Sequence, residues 1–370
     1  MEVFDFLIAA GDPSGDLHGS RLIAALKKLK PSVKIAAIGG PFMREASDEF
    51  LDDLAGEGIV GFLEPLLKMP RLLNTAFKIR DFLNERRAKA LICIDYYGFN
   101  RRLLQFALKA RVPAYYYISP QVWASRPYRV RVIGSLVKKI FVIFPFEEKL
   151  YRDAGVACEF VGHPLLDIIP EPKIKTEIPR DPLIGILPGS RKSEVSRHLP
   201  IFLESFKAFK KHFPGARAMI FAARALSDSS YQVQDLGIEI VRESDYQKRA
   251  LLDGAFCSSG TATLENALLG IPMVVAYQMS WPTYFLARSL IRVPYIAMAN
   301  ILAGKKIVPE LIQDQVHPEA LAEALSHFWE SPQNYLGARE ELMALRKRLG
   351  NPGVSERVAR ALIDSVKDAR

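Results

Sequence analysis

Cysteine is scarce in this 370-residue chain. It occurs three times, at Cys93, Cys158 and Cys257, and never as a Cys-x-x-Cys pair. This excludes a disulfide framework or a thiolate metal site and predicts buried free thiols in a reducing compartment. Histidine is scarce too, with six scattered residues, and no Asp-x-Asp pair occurs. Chemistry that depends on a resident metal is therefore not called for, and no cofactor is expected. Long apolar runs are missing: none approaches the roughly 18 residues of a membrane-spanning helix. The start, Met1-Glu2-Val3-Phe4-Asp5, lacks the basic residues of a secretory signal. These absences together predict a cytoplasmic protein.

Acidic residues are missing from one stretch in particular. Residues 68–139 carry 16 Lys+Arg against 3 Asp+Glu, so the net charge of +9 is concentrated there. Such an excess implies an anionic partner: nucleic acid, acidic lipid or a phosphorylated substrate. No RNA-binding module and no interleaved aromatic-basic stripe is present, so nucleic acid is not expected.

Strand-like apolar runs alternate with helix-like segments along the whole chain. Phe4–Ala10 reads as a strand, followed by a Gly-rich loop and a helix from about Ser20 to Leu29. Val33–Ile38, Ala90–Ile94, Ala114–Ile118 and Ile140–Phe144 are further strands. Pro164 to Pro182 holds five prolines, both ends included, in mixed charge and reads as a linker. The pattern then restarts with Leu183–Leu187, Ala218–Ala222, Ile238–Val241, Gly254–Cys257 and Pro272–Tyr277, and ends in helix. Strands apolar throughout, with helices between them, indicate α/β domains with parallel sheets covered on both faces. Two such Rossmann-like halves place ligands at the C-terminal edges of their sheets.

Five loops at those edges carry candidate chemistry. The first holds Gly11, Asp12, Ser14, Gly15 and Asp16, where two glycines allow close backbone approach and a helix start favours an anion. The second places Asp95 after an apolar strand, where a carboxylate is suited to take a proton from an attacking hydroxyl. The third runs from Ser119 through Trp123 to Arg126, Arg129 and Arg131. These arginines suit a phosphate, and Trp123 is open to three readings: sugar stacking, acyl-groove lining or core anchor. The fourth, Pro188-Gly189-Ser190-Arg191-Lys192-Ser193-Glu194, offers backbone N–H groups at Gly189 and Ser190 and a cation at Arg191. In the fifth, Ser259, Gly260 and Thr261 open a helix whose dipole suits phosphate, and Glu265 lies one turn on, placed to accept two ribose hydroxyls. The helix dipole and Arg191 are able to stabilise a departing diphosphate without a metal.

In these motifs the sequence resembles the lipid-A-disaccharide synthase family. The matches run in order: Gly11 to Asp16, Gly39-Gly40-Pro41, Ile94-Asp95, Ser119-Pro120, Pro145-Phe146-Glu147, Gly162-His163-Pro164, Pro188 to Arg191 with Glu194, Ser259 to Glu265, Asn300, and Pro309-Glu310-Leu311-Ile312-Gln313. The resemblance implies a GT-B fold, two Rossmann-like domains facing each other across a cleft. Its expected division is 1–165 as acceptor and membrane side, 166–345 as UDP-sugar side, and 346–370 as a C-terminal helix packing back on the first domain. It implies an inverting, metal-independent transfer from UDP-2,3-diacylglucosamine to 2,3-diacylglucosamine 1-phosphate, giving a β-1,6-linked disaccharide 1-phosphate and UDP. Asp95 matches the family's base, and Arg191, Glu265, Asn300, Glu310 and Gln313 match donor-side positions. The sequence departs from the family at Asp12, usually Glu, at Tyr97, usually Pro, at Gly98, usually Asp, and at Ala299, usually Pro.

The basic excess fits this reading. Pro65–Ala90 reads as an amphipathic helix, with Leu72, Leu73, Ala76, Phe77, Ile79 and Leu83 opposed to Lys78, Arg80, Arg86 and Arg87. Such helices lie on anionic membranes, and equally often face a core with a solvated back. Peripheral attachment to the cytoplasmic face of the inner membrane is therefore expected, and a homodimer is compatible with it. Two other functions fit parts of the pattern: a UDP-sugar epimerase or hydrolase on the same fold, and a non-catalytic membrane- or RNA-binding protein.

Overall fold

The computed structural model describes residues 2–55, 69–125, 128–224, 226–231, 237–281, 284–285, 288 and 293–367. The chain divides into two compact units: Met1–Asp167 with Leu349–Arg370, and Ile168–Arg348.

Unit 1 is built on a seven-stranded parallel sheet. Its strands are β1 (Phe4–Ala10), β2 (Ile35–Gly39), β3 (Glu49–Asp53), β4 (Ala88–Ile94), β5 (Ala114–Tyr117), β6 (Lys139–Val142) and β7 (Cys158–Phe160), in the order β3-β2-β1-β4-β5-β6-β7. Every residue of β1 is buried, as a strand covered on both faces requires. The helices are α1 (Pro13–Leu29), α2 (Pro41–Ala46), α3 (Met69–Asn84), α4 (Tyr97–Lys109), α5 (Val122–Ser125), α6 (Arg129–Gly134) and α7 (Pro145–Asp153).

Unit 2 repeats the plan with six parallel strands. They are β8 (Leu183–Leu187), β9 (Arg217–Ala222), β10 (Glu239–Arg242), β11 (Gly254–Ser258), β12 (Met273–Tyr277) and β13 (Glu310–Ile312), in the order β10-β9-β8-β11-β12-β13. Its helices are α8 (Lys192–His212), α9 (Tyr246–Arg249), α10 (Thr261–Leu268), α11 (Met298–Ala303), α12 (Pro318–Ser326) and α13 (Pro332–Arg348).

In both sheets the strand order reverses once, between β1 and β4 and between β8 and β11. In open α/β sheets such switch points are where loops part and ligands bind. The loops carrying Asp12 and Asp95 flank the first. Those carrying Arg191 and Gly260 flank the second.

The last helix, α14 (Val354–Lys367), belongs to unit 1 and packs on α1. Asp167 caps its start, accepting the backbone N–H groups of Gly353 at 2.6 Å, Val354 at 3.2 Å and Ser355 at 3.2 Å. The Arg357 guanidinium donates to Val161 O at 3.0 and 2.9 Å.

Three local expectations change. The Gly-rich segment after β1 is not a loop: α1 begins at Pro13, because Asp12 caps it and proline suits the first helical position. The helix expected over 65–90 spans Met69–Asn84, and residues 65–68 lie outside the described residues. On α3 the buried face is Ala76, Ile79, Phe82 and Leu83, whereas Phe77 is 46% exposed under the Arg80 guanidinium. Arg86 and Arg87 follow the helix rather than extend its basic face. Arg87 pairs with Glu49 at 2.8 Å and lies over the Phe82 ring at 4.4 Å.

Candidate functional site

In unit 1 the candidate groups gather at the ends of β1, β4 and β5. Asp12 accepts the Gly15 N–H at 2.8 Å on Oδ1 and thereby starts α1. Burial holds its carboxyl above the usual range, and the charge of Asp16 adds to this. Ser14 is exposed in the first turn. Asp16 is buried and spent on structure: it accepts the N–H groups of Gly40 at 2.8 Å, Phe42 at 3.1 Å and Met43 at 2.9 Å, fixing the start of α2.

Asp95 leaves β4 with a left-handed backbone, φ 44°, and Tyr96 follows at φ 41°. Consecutive non-glycine residues in this region carry strain of order 1–3 kcal/mol each and require strong local support. That support is present. Asp95 N donates to Tyr117 O and Ile118 O at 3.3 and 3.2 Å. Asp95 O accepts from Asn100 Nδ2 at 2.7 Å and from the Tyr116 hydroxyl. Burial pushes the Asp95 carboxyl up to about 7, and the charge of Asp12 pushes the same way. Such a carboxyl is poised as a general base near neutral pH.

Two further groups face this region. The Arg129 guanidinium lies over the Tyr97 ring at 4.1 Å, which brings it to the Asp95 loop. Arg131 is exposed on α6, and Arg126 lies outside the described residues. Trp123 donates its indole N–H to Glu147 at 3.2 Å and meets Phe146 edge-on at 5.0 Å. Glu147, in the Pro145-Phe146-Glu147 motif, carries no role that its sequence position announces. It is fully buried, also accepts the N–H groups of Ile143 and Phe144, and is pushed up to about 8 by burial, with the charge of Asp95 contributing.

In unit 2 the candidates follow β8, β11 and β12. Arg191 is exposed, and its guanidinium rests on Glu194 at 2.8 Å. Glu194 also accepts the N–H groups of Ser190 at 3.1 Å and Arg191 at 3.3 Å. The Ser190 N–H, expected to be available to a ligand, is therefore taken by the glutamate that caps α8. At α10 no side chain caps the helix start at Gly260, and Gly260 and Thr261 are exposed. The first N–H groups of a helix have no acceptor within it and favour an anion. Ser259 donates its hydroxyl to Ile296 O at 3.4 Å. Glu265 accepts from Tyr246 at 3.0 Å and pairs with Arg249.

Three expected donor-side residues are engaged with the backbone around them. Asn300 is fully buried and uses all four of its hydrogen-bonding positions. It donates to Val308 O and Glu310 Oε1 and accepts from Ile307 N and Val308 N. Glu310 accepts the N–H groups of Ile296 and Ala297. Gln313, at φ 52°, bonds both backbone groups of Met279, at 2.8 and 3.1 Å. All three hold backbone segments of the connection between β12 and β13.

Among the described residues no cluster of three or more His, Cys, Asp or Glu is arranged to hold a metal ion. No described helix is long and apolar enough to cross a membrane.

The family profile described as lipid-A-disaccharide synthetase matches residues 6–360. The chain belongs to this family. The lipid-A-disaccharide synthase of Syntrophus aciditrophicus (strain SB) is 38% identical over 98% of this chain and 97% of its own. That of Geobacter metallireducens is 37% identical, covering 98% of each chain. Family membership makes the chain a glycosyltransferase with the GT-B fold. The S. aureus MnaA–UDP co-structure is similar in fold at a TM-score of 0.67, covering 99% of this chain and 97% of that one. At 10% identity that likeness shows the fold alone, so epimerases of this fold offer no better reading.

Proposed function

We propose that the enzyme joins UDP-2,3-diacylglucosamine to 2,3-diacylglucosamine 1-phosphate, forming the β-1,6-linked disaccharide 1-phosphate and UDP. The observation that carries this is Asp95: a carboxyl raised to about 7, on a strained and fully supported backbone, at the switch point of unit 1. It takes the proton of the acceptor 6-hydroxyl as that oxygen attacks the anomeric carbon. The carbon–oxygen bond to UDP breaks on the opposite face, and the configuration inverts.

Unit 2 is the donor side. The uncapped start of α10 and the Arg191 guanidinium receive the diphosphate, and Glu265 receives ribose hydroxyls. Asn300, Glu310 and Gln313 act through the backbone they hold. Unit 1 is the acceptor side, where Arg129, with Arg126 and Arg131, meets the sugar phosphate. Acylated substrates and the basic first unit support peripheral attachment to the cytoplasmic face of an anionic inner membrane.

The test is one assay with purified enzyme, UDP-diacylglucosamine and the diacylglucosamine 1-phosphate. Disaccharide and UDP should appear in equal amounts, and only with acceptor present. UDP release without acceptor, or no disaccharide, overturns the proposal.

A further inference from the structure

Arg249 ends α9 in unit 2, and its side chain is 1% exposed. All its donor nitrogens point to α10. Nε donates to Asn266 Oδ1 at 2.8 Å, Nη1 to Glu265 Oε2, and Nη2 to Ala262 O at 2.9 Å. Tyr246, on the same short helix, donates its hydroxyl to the other Glu265 oxygen. The Glu265 carboxylate is thus fixed at both oxygens, and each keeps acceptor capacity for a further donor.

The donor reading of unit 2 contains an electrostatic conflict. A carboxylate one turn inside α10 repels the anion that the start of that helix is meant to hold. The charge of Glu265 is felt nearby: burial, and then that charge, hold the Glu243 carboxyl above the usual range. A buried guanidinium bonded directly to Glu265 removes the conflict.

We infer that Arg249 is a positioning residue of the nucleotide site, fixing the Glu265 carboxylate for hydroxyl recognition and neutralising it so that the same helix start accepts a diphosphate. This rests on the donor reading given above. Arg249 touches no reacting atom; it acts through Glu265 and through the first turns of α10.

The experiment separates the two halves of the ligand. Inorganic pyrophosphate and uridine are titrated separately, by calorimetry, into the wild type, Glu265→Gln, Arg249→Met and the double variant. Arg249→Met should weaken pyrophosphate binding roughly tenfold, and adding Glu265→Gln should restore most of it. The double variant lacks every Arg249 bond, so a merely structural role predicts no such rescue. Unchanged pyrophosphate affinity in Arg249→Met, or a double variant as weak as the single, overturns the inference. Glu265→Gln alone provides a second test if Arg249→Met does not fold: with the guanidinium no longer offset, pyrophosphate should bind more tightly, and unchanged binding overturns the inference. Uridine binding untouched by Glu265→Gln instead overturns the ribose reading beneath it.

Discussion

The ring of Tyr96 lies directly against the backbone of Gly11: a Cβ at that glycine would stand 2.2 Å from the ring. The ends of β1 and β4 are locked together at this contact, beside Asp95. Gly11→Ala must displace Tyr96 and with it the strained Asp95 backbone. Misplacement of a reacting group by about 1 Å lowers turnover by about 100-fold. Gly11→Ala is expected to lose activity on that scale with UDP affinity unchanged; steady-state kinetics and calorimetry check both.

Asp95 sets the pH dependence. As a general base it works only when ionised, so kcat/KM should rise with pH through about 7 and then level off. Asp12→Asn removes a neighbouring negative charge and should move the break to lower pH. A break that stays in place in Asp12→Asn would separate the two carboxylates.

Stability carries the opposite sign. The folded pKa of Asp95 is raised above its unfolded value, so its contribution is present below about 4 and is lost as pH rises through about 7. Asp95→Asn should therefore abolish turnover yet raise stability at pH 8, by on the order of 1 kcal/mol after solvent screening. Urea denaturation at pH 5 and pH 8 measures this; a gain no larger at pH 8 counts against it.

Gly98 stands where the family usually has Asp, and a Cβ there meets nothing within 4 Å. It lies in the first turn of α4, where a carboxylate favours the helix dipole and a non-glycine residue lowers chain entropy. Gly98→Asp should raise stability by about 0.5–1.5 kcal/mol. Thermal denaturation checks it, and a lower melting temperature would show that the space is not usable.

Asp167 holds three N–H groups at the start of α14. Asp167→Ala should destabilise the enzyme by about 1–2 kcal/mol, and hydrogen exchange should show the loss concentrated in α14.

Much of this fold is legible in the sequence. The apolar runs mark the central strands of both sheets, because strands buried on both faces rarely carry polar residues. β3, β7 and β13 are not legible there: Glu49-Phe50-Leu51-Asp52-Asp53, Cys158-Glu159-Phe160 and Glu310-Leu311-Ile312 are half-exposed strands at sheet edges, where acidic residues are tolerated. The loops of the candidate site were read from glycines and charges. Their division of labour was not, because Asn300, Glu310 and Asp16 are spent on backbone groups far away in sequence. Arg249 gave no signal at all, since its meaning lies in three bonds to a helix more than ten residues on.

The return of the chain from Arg348 to unit 1 makes unit 2 an insertion in the first domain. During synthesis unit 2 has its whole sequence available before the last 22 residues emerge, whereas α1 waits for α14. His163 N donates to Leu349 O at 2.9 Å, so the two points where unit 1 is interrupted lie side by side. Excising 168–348 would therefore leave a gap in unit 1 that a few residues span.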